Sequence, residues 1–148
     1  MMRQRLLLTF FVILISNTSV AAGPSNWQIP QSSYDLMSAE NKAMQDDPSL
    51  NPAMFWVSDG ATLWNKPSEN KQQSCASCHG EAKKSMRGVA TQFPKVIKGR
   101  LQTLESQINQ CRVNAQGQSP LAYESKELLA LTAYVANQSK GIPIAVKE

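Results

Sequence analysis

The chain has 148 residues, of which 42% are hydrophobic and 18% charged, with 15 basic and 11 acidic side chains for a formal charge of +4. That length builds one domain with a core of its own and does not suggest two. No basic stripe with interleaved aromatics marks a nucleic-acid surface.

In chain order, Arg3 and Arg5 precede an apolar run over residues 6–15 that only Thr9 interrupts, and Val20-Ala21-Ala22 supplies small residues before Gly23. This is the pattern of a secretory signal peptide over residues 1–22. The apolar run is about half the length of a membrane span, so the mature chain is expected in the periplasm with no membrane anchor. Loss of Arg3 and Arg5 with the leader leaves 13 basic against 11 acidic side chains, a formal charge of +2 over about 126 residues.

Residues 23–50 read as a surface arm. It is polar and contains proline, and it carries a short helix capped by Ser38 that ends before the Asp46-Asp47-Pro48 turn. From residue 51 onward the chain reads as a single domain. Asn51 and Pro52 supply an N-cap and a proline at the first helical position, and Phe55, Trp56, Leu63 and Trp64 give a mostly apolar helix over 52–65. Gly60 lies inside that helix. Glycine there costs about 1 kcal/mol against alanine, which a second helix crossing at close range would explain.

A polar loop then leads to Cys75-Ala76-Ser77-Cys78-His79-Gly80. Two thiols separated by two residues and followed at once by histidine form the attachment pattern of a c-type haem. One helical turn sets both sulfurs to bond the two vinyl groups of the porphyrin, and the imidazole of His79 follows as proximal iron ligand. Gly80 would let the backbone pass close to the macrocycle. The alternatives are a Cys75–Cys78 disulfide and half of a zinc site. A zinc site usually takes four N or S ligands, and only one His and one further Cys remain to complete it. A redox dithiol would expect strand-like flanks, which are missing here. Export favours haem, because free thiols do not persist idly outside the cytoplasm.

Residues 81–102 are interrupted by Gly88, Pro94 and Gly99 and read as irregular. Thr103 caps a helix reaching Val113, with Leu104, Ile108 and Cys111 on one face, so Cys111 is expected to point inward. Ser125 caps a last helix over 126–139, with Leu128, Leu131 and Val135 as its apolar stripe, Tyr134 beside it, and Lys140-Gly141 as its stop. With no alternating strand pattern, the fold class is all-α, in the element order of a class I cytochrome c-like domain.

The iron's sixth ligand is open on these residues. There is no second histidine, and Met86, the one methionine after the motif, lies seven residues from His79. That separation spans at most about 24 Å when fully extended, so Met86 would have to wrap the haem edge without structure and is better read as packing. Cys111 remains, as an axial thiolate, a buried structural cysteine, or a disulfide or reactive thiol. Arg112 beside it could help to stabilise a thiolate, although an arginine next to a helix cysteine is more often simply solvated.

Asn51-Pro52-Ala53-Met54-Phe55-Trp56, Asp59-Gly60, Ser85-Met86-Arg87-Gly88-Val89, Ile108-Asn109-Gln110-Cys111-Arg112 and Pro120-Leu121-Ala122-Tyr123-Glu124-Ser125, together with the haem motif, resemble the N-terminal haem domain of the SoxA family. Its members are the larger subunit of the SoxAX cytochromes of periplasmic thiosulfate oxidation. The resemblance runs over residues 34–144. It implies one covalent haem c on Cys75 and Cys78, with His79 and Cys111 as its axial pair. It also implies a SoxX-like cytochrome partner and a SoxYZ carrier, to whose cysteine the family's S-thiosulfotransferase activity attaches thiosulfate. The family's catalytic cysteine lies in a second haem domain and matches no position here. The chain is therefore expected to be a fragment of a longer protein, one half completed by a separate chain that supplies that domain, or a stand-alone electron carrier without transferase activity.

Overall fold

The computed structural model describes residues 33–145, so the expected leader and the first part of the arm, residues 23–32, lie outside the described residues. The chain divides into two compact units, residues 1–36 and residues 37–148. Of the first, the described part is a turn closed by Leu36 N donating to Ser33 O at 3.2 Å.

Among the described residues, the second unit has six α-helices, one 3-10 turn and one hairpin. Helix α1, Ala39–Asp46, is capped by Ser38, whose side chain accepts from Asn41 N; it buries no residue. Helix α2, Ala53–Asn65, follows Pro52, which already has helical angles, and Asn51 Oδ1 accepts from Ala53 N at 2.9 Å. The capping carboxamide and the proline therefore act at the positions their chemistry suits. Helix α3, Cys75–His79, is a single turn closed by a reciprocal capping box between Ser74 and Ser77. Helix α4, Ala82–Ser85, and a 3-10 turn at Ala90–Gln92 follow. Helix α5, Leu104–Asn114, has its own capping box between Thr103 and Ser106, and α6, Lys126–Asn137, is capped by Ser125.

One expectation is corrected here. Residues 95–102 are not irregular, because strands β1, Lys95–Ile97, and β2, Arg100–Gln102, pair antiparallel with Val96 opposite Leu101. Their two-residue connection, Lys98-Gly99, has positive φ at both positions (51° and 73°), as a tight hairpin turn requires. Gly80 has a backbone role at the end of the attachment turn. It ends α3 with φ 65° and ψ −141°, which L side chains resist, and a Cβ there would find no protein atom within 4 Å.

The crossing of α2 and α6 is the largest interface between elements, and it falls at Gly60. A Cβ at this position would overlap the Ala130 carbonyl oxygen and come within 2.5 Å of Tyr134 Cβ. Beside the crossing, Trp64, Ala82, Leu104 and Val135 form a buried cluster, with Met86, Phe93, Ile108 and Tyr134 packed against it. Leu128, Ala130 and Leu131 are buried as well, completing the inner face of α6. Among the described residues, no helix is long and apolar enough to cross a membrane.

Candidate haem site

Helix α3 is tied to the core through Trp64, whose Nε1 donates to Gly80 O at 3.0 Å. The indole is buried, and its ring centroid lies 5.8 Å from those of both His79 and Tyr134. One residue of α2 thus fixes the end of the Cys75–His79 turn and packs against the imidazole. Buried Ser74 holds the start of the same turn.

Cys75, Cys78 and His79 line one wall of a cavity of about 310 Å³. Helix α5 supplies Leu104, Ile108, Cys111 and Arg112, α6 supplies Leu131 and Val135, and the segment between α4 and β1 supplies Met86, Val89 and Phe93. The volume and the largely apolar lining are those of a cofactor cleft with a few convergent polar groups. All three cysteines are free thiols.

Cys75, Cys78, His79, Met86, Cys111 and Arg112 all border this cavity, but the cysteines do so in two different ways. Cys75 is half-buried, and its sulfur accepts a weak bond from Gln116 Nε2 at 3.6 Å. Burial pushes the Cys75 thiol up from its ordinary value, against the downward pull of the Gln116 hydrogen bond and the Arg112 charge. Cys111 faces the cavity with Leu104 and Ile108, but its side chain is exposed and accepts from Gln107 Nε2 at 3.5 Å. It is therefore not a core thiol: its helix face points at the cleft, where inward and buried are not the same. Met86 packs on the Trp64 cluster and also touches the cavity.

Trp64 and Gln116 are functional neighbours that sequence reasoning did not assign. Gln116 is buried although it lies beyond the end of α5, in a loop without periodicity. Asn109 of α5 holds that loop by donating to Leu121 O at 3.0 Å and accepting from Leu121 N at 2.8 Å.

The residues fit a haem c. Two thiols and an imidazole stand on one turn at an apolar cleft, a third thiol stands on a different helix of the same cleft, and the Nε of Arg112 is buried with no hydrogen-bond partner. This fold and cleft define a class I cytochrome c-like domain, whose cofactor is a covalently bound haem c. Residues 59–144 match the family model of the SoxA/TsdA cytochrome c domain. The chain is 38% identical over 108 residues to the L-cysteine S-thiosulfotransferase subunit SoxA of Pseudaminobacter salicylatoxidans, covering 72% of this chain and 38% of that protein. It is 37% identical over 114 residues to the SoxA subunit of Chlorobaculum tepidum, covering 77% and 38%. The crystal structure of SoxXA from P. pantotrophus superposes with a TM-score of 0.71 at 28% identity, covering 78% of this chain and 44% of that one. The chain belongs to the SoxA/TsdA cytochrome c domain family. It spans about two fifths of the length of the SoxA relatives it matches.

Proposed function

We propose that this chain is a periplasmic SoxA-type haem domain that carries electrons in thiosulfate oxidation, with Cys75 and Cys78 holding the haem covalently and His79 and Cys111 as the axial pair. The observation that carries the assignment is the convergence of α3 and α5 on one apolar cleft: the attachment turn forms one wall and Cys111 lies on another. When bound, the haem supplies one-electron chemistry at iron, which an axial thiolate biases towards the ferric state and a low potential. The remaining work belongs to the protein. Trp64 positions His79 through ring contact and the Gly80 hydrogen bond. Leu104, Ile108, Leu131 and Val135 keep the cleft apolar, and Gln116 orients the Cys75 sulfur.

Participation in thiosulfate oxidation is supported by the SoxA relatives and a SoxX-like partner by the SoxXA structure, whereas a SoxYZ carrier and a separate chain supplying the second domain rest on the family resemblance alone. A plain electron-carrier role for this domain has its own support: all three cysteines border the haem cleft, which leaves none to carry substrate sulfur. Intact-mass spectrometry of the protein purified from a periplasm competent for cytochrome c maturation tests the cofactor assignment. The expected mass is that of the processed chain plus one haem, lost in the Cys75→Ala, Cys78→Ala double variant. A haem-free chain with a Cys75–Cys78 disulfide would overturn it. Thiosulfate-dependent reduction of the haem in the presence of SoxX, SoxYZ and a chain carrying the second haem domain tests the pathway, and a haem that stays oxidised in that mixture would overturn it.

A further inference from the structure

Arg112 follows Cys111 in the last turn of α5, where a cation suits the helix dipole. That placement accounts for a charge at the helix end and not for its direction. The side chain borders the haem cleft and also a second, small cavity of about 150 Å³ lined by Leu63, Lys66 and Leu121. Its Nε is buried without a hydrogen-bond partner. Among the described residues, no carboxylate pairs with it within 4.0 Å; Glu69 and Glu127, at the second cavity, are exposed to water.

A guanidinium does not shed its proton to escape desolvation. A cation partly withdrawn from water with an unsatisfied Nε is costly unless something negative answers it. The haem cleft is the place where negative charge would arise. Ferric iron, a dianionic porphyrin ring and one thiolate sum to zero. Uptake of one electron from an external donor then leaves a net negative centre in an apolar cleft, where water screens it poorly.

Resting on the reading of His79 and Cys111 as the axial pair, we propose that Arg112 is a positioning residue whose half-buried cation offsets the negative charge of the reduced, thiolate-ligated haem and so raises its potential above that of the same ligand set without it. Thiolate ligation pulls the potential down, and Arg112 limits the fall. The side chain acts through space on the centre and takes no part in binding substrate.

Potentiometric titration with soluble mediators, run together with ferric electron paramagnetic resonance on the haem-loaded protein, tests this. In Arg112→Gln the oxidised-to-reduced ratio at a fixed ambient potential should rise about tenfold, a fall in midpoint of ~59 mV for one electron, with the low-spin ferric signal unchanged. Arg112→Lys keeps the charge and should stay near wild type, as should Glu127→Gln. Should the glutamine variant fail to accumulate, Arg112→Met retains the packing stem and gives the same readout. A midpoint in the neutral variants within twofold of the wild-type ratio overturns the proposal, as does a lysine variant displaced as far as glutamine. A wild-type spectrum without a thiolate signature would instead refute the axial assignment, a separate result from the potential shift.

Discussion

Cys111 shows how one side chain's helix face can be right while its burial is not. Its spacing from Leu104 and Ile108 places it on the cavity side of α5, and the structure puts it there, exposed and contacted by Gln107. Replacing it with serine exchanges a soft, strongly donating sulfur for a poor ligand. The ferric resonance signal of the haem-loaded variant should change, and its midpoint should rise by more than a tenfold change in ratio, ~59 mV. Met86 gives the control, because it packs on Trp64, Ala82, Leu104 and Val135. Met86→Leu conserves that volume and should leave signal and potential nearly unchanged at a stability cost below about 1.5 kcal/mol. A Cys111→Ser spectrum identical to wild type would remove the thiolate.

At the scale of elements, Gly60 decides whether α2 and α6 can cross. The overlap a Cβ would make is with the Ala130 carbonyl oxygen and with Tyr134 Cβ, both close to the backbone of α6, so no rotamer change relieves it. Gly60→Ala should gain the helix propensity of alanine yet lose about 1–3 kcal/mol net to overpacking, lowering the thermal midpoint by roughly 5 °C or more, as followed by circular dichroism. A variant as stable as wild type would mean that the crossing tolerates separation. The same residues explain what could be read beforehand. Ser38, Asn51, Thr103 and Ser125 announce their helices because a cap is a local interaction, and Gly60 announces a crossing because its cost needs a reason. Strands β1 and β2 gave no such signal: three residues are too few to show alternation, and a turn written Lys98-Gly99 lacks the Asn or Asp that usually marks its first position. The cleft wall around residues 86–93 is set from afar, by Ala90 N donating to Ser139 Oγ at 3.3 Å and Ala145 N donating to Thr91 O at 2.8 Å. No window of sequence contains both partners of either bond.

At the scale of the molecule, what matters is how its sulfur chemistry is distributed. Cys75, Cys78 and Cys111 are the chain's full set of cysteines, and they share one cleft. On the proposed ligation two are consumed by thioether bonds and the third binds iron, so no thiol would remain to take up a sulfane sulfur and hand it to a carrier cysteine. An iron with both axial positions filled is also a poor place for thiosulfate to bind. The haem-loaded chain, mixed with thiosulfate, a SoxX-type cytochrome and the SoxYZ carrier, should therefore exchange electrons with the cytochrome and form no thiosulfate adduct on the carrier, as read by intact mass. Addition of a chain carrying a second haem domain with its own cysteine should restore the adduct. Replacing that cysteine with alanine should abolish it again, while electron exchange through this chain persists. An adduct formed by this chain alone would mean that one of its three cysteines is free to react. Cys111 would then be the first to test, because it is the one not placed in the attachment turn.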